Sequence, residues 1–234
     1  IRTFDVSRIK KEIELAKTNG AKYIYLIDTV INFDKKRFFE VCEAIKKVNM
    51  DKKIYFQTEI RTELVDAETV KLLSDSNIKI LEAGLQSTNP VALANVNRKN
   101  NLEKFKKGVS LLKAGKLEVI TGLIVGLPAD KKKNIKDSIG FLANSGMDTM
   151  VHIYPLCVLP GTHLRESADK FNIRFQKDPP YYALSTKDLK EKDMKEMFLF
   201  GERTFGRSIL NSDEWIPSMV SHTDNVDKCE SQDF

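Results

Sequence analysis

The chain has few cysteines and no long hydrophobic run, and both absences narrow the class of protein. Its 234 residues include three cysteines, Cys42, Cys157 and Cys229, whose spacing is not that of a disulfide framework. We therefore expect a reducing, cytoplasmic location. No apolar stretch is long enough to span a bilayer and no signal-peptide pattern is present, so we predict no membrane partner.

The basic stretches of the sequence lack the aromatic pattern of a nucleic-acid-binding surface. Lysines crowd residues 104–116 and 131–136. Aromatic residues are not interleaved with them as a base-stacking platform requires. We interpret both stretches as solvent-exposed helix faces, and binding of nucleic acid is unsupported.

One rhythm of strands and helices repeats along most of the chain. Amphipathic helices, with Asp5, Asp34 and Asp66 as expected N-caps, alternate with strand-like runs. The strands are expected at residues 22–28, 53–59, 79–86, 118–126 and 150–158. This alternation predicts parallel βαβ units, in an α/β fold with a single sizeable core.

Polar residues at the strand ends favour a barrel over an open, doubly wound sheet. Asp28, Glu59 and Gln86 each close a strand, and His152 and Tyr154 share a face of the last one. Such groups converge on one point only if the sheet curves around it.

The rhythm stops after Phe171. One more helix is expected from Thr186 to about Phe205, and residues 211–234 carry six acidic residues against one lysine. We therefore predict a barrel over residues 1–171, a helical extension over 172–210 and an acidic, mobile tail over 211–234.

The strand at residues 80–86 carries the strongest functional signal. Strand alternation places Glu82 and Gln86 on one face, opposite Leu81 and Leu85. A carboxylate and an amide inside a fold indicate a binding site, or else they pair with buried neighbours and have no further role.

Six short segments, in this order and spacing, resemble the radical S-adenosylmethionine (SAM) enzymes, in the branch often fused to a cobalamin-binding domain. They read IDT at 27–29, FQTEIR at 56–61, GLQS at 84–87, VNR at 96–98, GLIVGLP at 122–128 and VLPGT at 158–162. The resemblance implies a partial, TIM-like parallel (β/α)6 barrel and a [4Fe-4S] cluster that reduces SAM. The resulting 5′-deoxyadenosyl radical would abstract hydrogen from a substrate, a small molecule or peptide that the sequence does not identify, with an electron donor as a second partner. Cobalamin-linked methyl transfer, through another domain, is the other reaction that the resemblance implies.

The sequence departs from this family at the cluster ligands. The family holds its cluster with a C-x-x-x-C-x-x-C loop after the first strand, and this chain has no such motif. The resemblance therefore implies a chain that starts just after that strand and loop, with the ligands upstream. The alternative is a cluster-less βα barrel that acts as a binding or scaffolding module.

The resemblance also assigns residues to SAM. Glu59 and Gln86 would contact its ribose or amino-acid end, with Ser87 as a second polar contact, and Arg98 would bind its carboxylate. Gly122 would leave room for the nucleoside, while Leu156 and Cys157 would meet the adenine edge through backbone groups. Many members of the family have a glycine-rich turn where this chain has Asp28. Asp28 is therefore the candidate to contact the amino group of SAM.

Three of these positions, and the two residues expected to face the substrate, could instead have purely structural roles. Arg98 could form a surface salt bridge, Gly122 could be a packing glycine, and Cys157 could be a buried structural thiol. His152 and Tyr154 are the catalytic candidates, since each can transfer a proton, although a core histidine bonded to a carbonyl is the commoner case. No metal ligands are assigned within this chain.

Overall fold

A computed structural model describes residues 3–28, 30–147 and 149–206 of the chain. Its main feature is a five-stranded, all-parallel sheet in which strand order follows the sequence. The strands are β1 (Tyr23–Leu26), β2 (Tyr55–Glu59), β3 (Ile78–Gln86), β4 (Glu118–Val125) and β5 (Met150–Pro155). All five lie within the runs predicted from the sequence, apart from the first residue of β3.

Helices connect the strands, as expected for βαβ units. They are α1 (Val6–Thr18), α2 (Lys35–Val48), α3 (Ala67–Asp75), α4 (Pro90–Asn95), α5 (Leu102–Ala114), α6 (Lys132–Asn144), α7 (His163–Glu166) and α8 (Glu191–Phe205). Asp5, Asp34 and Asp66 cap α1, α2 and α3, each accepting a hydrogen bond from a backbone N–H of the first turn. The predicted caps are therefore confirmed. No helix in the described part of the chain is both long and apolar enough to cross a membrane.

The two faces of the sheet differ in burial. On the face that the helices cover, Phe56, Leu81, Leu85 and Val125 are fully buried. The opposite face, which we call the inner face, presents mostly half-buried or exposed side chains. These include Tyr25, Gln57, Glu59, Glu82, His152 and Tyr154. Of the polar residues predicted to share an interior, Glu59, His152 and Tyr154 do share one face.

The sheet does not close on itself among the described residues, because β1 and β5 each pair on one side only. Five parallel strands backed by helices agree with the predicted fold class.

The segment after the sheet differs in part from the prediction. A short antiparallel hairpin, β6 (Arg174–Phe175) and β7 (Ala183–Ser185), precedes the last helix. The expected helix start at Thr186 is wrong by five residues, because the Thr186 hydroxyl accepts hydrogen bonds from the backbone N–H groups of Asp188 and Leu189 and closes a turn there. The expected acidic tail at 211–234 lies outside the described residues.

Candidate functional site

A cleft of about 550 Å³ opens at the C-terminal ends of β3, β4 and β5. Its walls come from the loops after β2 and β3, from the strand ends and from the start of α7. The lining residues include Arg61, Gln86, Arg98, Ile124, Leu156 and His163. Three of the sequence-predicted cofactor residues, Gln86, Arg98 and Leu156, therefore meet in one cavity.

Gln86 occupies a strained turn at the edge of this cleft. Its φ of 67° lies in the left-handed region, and the Ser87 N–H donates across it to the Leu85 carbonyl at 2.9 Å. This pattern is that of a γ-turn with positive φ, which is rare and strained. In the described structure, the Gln86 Oε1 atom is buried and has no hydrogen-bond partner. A ligand hydroxyl or N–H would supply the missing donor.

Arg98 lies beside this turn, and two nitrogens of its guanidinium already donate hydrogen bonds within the protein. Its Nη2 donates to the Gly84 carbonyl, and its Nε donates to Asn100 Oδ1 at 3.0 Å. No acceptor of the described residues contacts Nη1, so the end of the guanidinium is available to a carboxylate. Burial lowers the pKa of Arg98, and the negative charges of Glu63 and Glu59 oppose that shift. The surface-salt-bridge alternative does not describe these contacts.

Two carboxylates lie side by side on the inner face below the cleft. Glu59 of β2 is in register with Glu82 of β3. Gln57 donates a hydrogen bond to Glu82 and accepts one from the Tyr23 hydroxyl at 2.6 Å, so a short relay orients Glu82. The inner face thus presents a fixed negative group in the middle of the sheet.

The pKa shifts on this face agree with crowded negative charge. Burial raises the pKa of Glu59, and the charges of Glu82 and Asp28 raise it further. Burial, followed by the charge of Glu82, also raises the pKa of Tyr25 and raises that of Tyr154 to about 12. At neutral pH both tyrosines are therefore hydrogen-bond donors and not bases.

His152 and Tyr154 form a pair, as their shared strand face predicts. His152 Nδ1 lies 3.0 Å from the Tyr154 hydroxyl, and the rings meet edge to face. A Cβ atom on Gly122 would lie 3.4 Å from the Tyr154 ring. Tyr154 therefore lines the space above Gly122, which the sequence predicts to be room for a nucleoside, at ordinary van der Waals distance.

The structure does not bring Ser87 into the cleft. Its side chain is buried, lies 3.4 Å from Asp130 Oδ1 and accepts a hydrogen bond from the Asn89 N–H. The turn at Gln86 rotates Ser87 toward the core, so its hydroxyl supports the loop and does not face a ligand.

Cys157 and Asp28 lie at the margins of the site. Cys157 pairs through its backbone with Tyr182 of the hairpin region, and burial raises the pKa of its thiol. Asp28 is exposed after β1, with its Oδ1 3.4 Å from the Val30 N–H. Asp28 affects the site electrostatically, because its charge raises the pKa of Glu59.

The described cysteines do not fit an iron–sulfur cluster. Cys42 is fully buried on α2, where burial raises the pKa of its thiol to about 12, and Cys157 belongs to a different part of the fold. Among the described residues, no group of three or more His, Cys, Asp or Glu side chains could hold a metal ion.

Sequence reasoning missed two residues that support the site, Asn100 and Asp130. Asn100 follows Arg98 by two positions and bonds both Arg98 and the Gln86 turn. Asp130 accepts from Asn89 Nδ2 at 2.9 Å, and its buried Oδ2 has no partner in the described structure. The only sequence signal was their position in polar loops, between α4 and α5 for Asn100 and between β4 and α6 for Asp130.

Comparison with known proteins relates this chain to one enzyme superfamily. Residues 1–142 match the model of the radical SAM superfamily. A cobalamin-dependent radical SAM methyltransferase, TokK of Streptomyces tokunonensis, is 24% identical over 185 residues, which cover 74% of this chain and 27% of that protein. A putative methylthiotransferase of Methanocaldococcus jannaschii is 26% identical, covering 63% of this chain and 34% of the relative. The chain thus spans about a third or less of these relatives.

A solved structure shows the same fold. The radical SAM methyltransferase TsrM of Kitasatospora setae, with cobalamin and a [4Fe-4S] cluster bound, superposes with a TM-score of 0.62 at 12% identity, covering 83% of this chain and 41% of TsrM. The partial-barrel fold class predicted from the sequence is thereby confirmed. Since the superfamily model covers more than half of the chain, this protein belongs to the radical SAM superfamily.

Proposed function

We infer that the cleft at the ends of β3, β4 and β5 binds SAM, as the barrel of a radical SAM enzyme. The observation that carries this inference is the buried, unpartnered Oε1 of Gln86 at the cleft wall. An unsatisfied acceptor costs about 1 to 3 kcal/mol, which a ligand that donates to it recovers. A ribose hydroxyl or the amino group of SAM is such a donor.

The charges around the cleft suit the two ends of SAM. The open end of the Arg98 guanidinium would bind the carboxylate, in the planar geometry that a lysine ammonium lacks. Glu59 and Asp28 provide negative charge for the amino group or the sulfonium. Leu156 and Ile124 add apolar wall for the nucleoside.

When bound next to a reduced cluster, SAM supplies a 5′-deoxyadenosyl radical, and in the cobalamin-dependent branch it supplies a methyl group. Arg98 and Gln86 would orient it, with Ser87, Gly122 and Cys157 supporting the site from the loops and strand ends. His152 and Tyr154 would face the substrate, a small molecule or a peptide. In this proposal the cluster ligands and the electron donor come from outside the described residues.

Titration of the chain with SAM, followed by NMR, tests the proposal. Gln86→Ala should weaken SAM binding by about 5-fold to 150-fold, because it removes a contact worth about 1 to 3 kcal/mol. Gln176→Ala is the matched control, since Gln176 Oε1 accepts from the Tyr182 N–H in the hairpin region, away from the cleft lining. Equal affinity of Gln86→Ala and wild type would contradict SAM binding at this turn.

A further inference from the structure

The side chain of Asn100 contacts the turn that carries Gln86 on both sides of that residue. Asn100 Nδ2 donates to the Leu85 carbonyl and lies 3.4 Å from the Ser87 carbonyl, so it bonds the residues on both sides of Gln86. The register of β3 against β4 shifts between Gly84 and Gln86, which leaves these carbonyls outside the regular ladder. Asn100 replaces the strand partner that the bulge removes.

Asn100 also fixes Arg98, the second residue of the cleft. Its Oδ1 accepts from Arg98 Nε at 3.0 Å, while Arg98 Nη2 bonds the Gly84 carbonyl. The side chains of Asn100 and Arg98 therefore contact three backbone carbonyls around the strained Gln86. These are the carbonyls of Gly84, Leu85 and Ser87. A backbone conformation of this kind persists only where its surroundings over-determine it, and such positions gather at ligand sites.

We propose that Asn100 is a positioning residue, which holds the Gln86 turn and the Arg98 guanidinium in the geometry that binds SAM. This inference rests on the proposed function and names the residue on which its geometry depends. The amide is suited to the task because it donates to the turn with one atom and accepts from the guanidinium with the other. Neither Ala nor Asp can do both.

The test compares Asn100→Ala, Asn100→Asp and Asn101→Ala in the full chain. Asp keeps the acceptor for Arg98 but places a carboxylate oxygen against the Leu85 carbonyl. Asn101 caps α5, accepting from the Lys104 N–H at 2.9 Å, so its side-chain hydrogen bond is to the helix and not to the turn. Removing the cap destabilises the helix, so this variant controls for destabilisation alone.

Two readouts are needed, hydrogen exchange of the Ser87 amide and affinity for SAM. Both Asn100 variants should speed Ser87 exchange and weaken SAM binding by about fivefold or more, the equivalent of one hydrogen bond, whereas Asn101→Ala should change neither. In the Gln86→Ala background, Asn100→Ala should weaken affinity less than it does in the wild type, because only its effect through Arg98 remains. Asn100→Asp keeps the test open if the alanine variant does not fold.

The outcomes separate this inference from the proposed function. Unchanged Ser87 exchange in both Asn100 variants would overturn the positioning role, as would faster exchange with normal affinity when Gln86→Ala binds weakly. A different outcome is faster Ser87 exchange in the Asn100 variants, together with normal SAM affinity in these variants and in Gln86→Ala. That result would overturn SAM binding at this turn, and the positioning role with it.

Discussion

Glu59 and Glu82 lie directly opposite each other on neighbouring parallel strands, with both carboxylates on the inner face. Gln57 donates to Glu82 and holds it in place. Glu59, at the strand end, is affected by this fixed charge, and its pKa is raised by burial first and by Glu82 second. A cationic ligand above the pair would relieve the repulsion.

Replacing Glu82 should lower the pKa of Glu59. In Glu82→Gln the neighbouring negative charge is gone, while the burial of Glu59 remains, so the pKa should fall toward its ordinary value without reaching it. Carboxyl 13C shifts across a pH titration measure this directly. Glu103→Gln, on the exposed start of α5, is the control that should leave Glu59 unchanged. An unaltered Glu59 titration in Glu82→Gln would show that the charge of Glu82 does not affect the pKa of Glu59.

Arg98→Lys should weaken SAM binding by about 1 to 3 kcal/mol, because an ammonium cannot form the planar pair with a carboxylate. Lysine also has one donor nitrogen, where the guanidinium bonds Gly84 and Asn100 from two. Calorimetric titration of Arg98→Lys, Gln86→Ala and the double variant should give non-additive losses, since both side chains hold one ligand. Arg8→Lys, on the exposed face of α1, is the control. Additive losses would place the two residues on separate ligands.

Local signals in the sequence were sufficient for most of the fold. The caps at Asp5, Asp34 and Asp66 depend on hydrogen bonds within one helical turn, and strand alternation depends on residues two apart. These signals need no knowledge of the rest of the chain. The short α4 and the β6–β7 hairpin were missed, because elements of that length leave little periodic signal.

The site was less predictable because it depends on backbone geometry. Alternation placed Gln86 correctly, but no pattern revealed that its φ is positive and that Ser87 therefore turns into the core. The roles of Asn100 and Asp130 also depend on carbonyls and amides from distant loops. Side-chain chemistry alone could not indicate those partners.

Asp130 should make stability fall as the pH rises. Burial raises its pKa from 3.8 to about 6 in the folded state, against the hydrogen bonds from Asn89 and Ser87. Between these two values the folded state binds more protons than the unfolded state, so the free energy of unfolding decreases through this window. Above it, the ionised carboxylate costs up to about 3 kcal/mol, from about two pKa units at 1.36 kcal/mol each.

Urea unfolding of Asp130→Asn at pH 4, 5, 6 and 7 isolates this contribution. The stability of the variant relative to wild type should increase with pH, because asparagine does not titrate. Asp137→Asn, which removes an exposed ion pair with Lys133 on α6, should show little change across the same range. A constant difference between Asp130→Asn and wild type at all four values would mean that Asp130 has the same pKa in both states.

Reconstitution with iron and sulfide should give no stoichiometric cluster on this chain. Thiolate ligation needs cysteines brought together, whereas Cys42 is buried in the helical layer and Cys157 lies just after β5. Absorption spectroscopy after removal of unbound iron is the measurement, and Cys42→Ala should give the same spectrum as wild type. A stable charge-transfer band at one cluster per chain would contradict the prediction.

Gly84→Ala should displace the Gln86 side chain without unfolding the protein. A Cβ atom at Gly84 would lie 2.3 Å from Gln86 Nε2 and 3.8 Å from the Arg98 guanidinium, so the flexible amide must move. Gly84 does not have positive φ, and alanine is therefore compatible with its backbone. We expect SAM affinity to fall about as far as in Gln86→Ala, with the melting temperature close to that of wild type.

Gly140→Ala is the control, since its Cβ would meet nothing closer than 3.9 Å and alanine in a helix adds about 0.5 to 1 kcal/mol of stability. Normal SAM affinity in Gly84→Ala would show that the position of the Gln86 amide does not matter for binding.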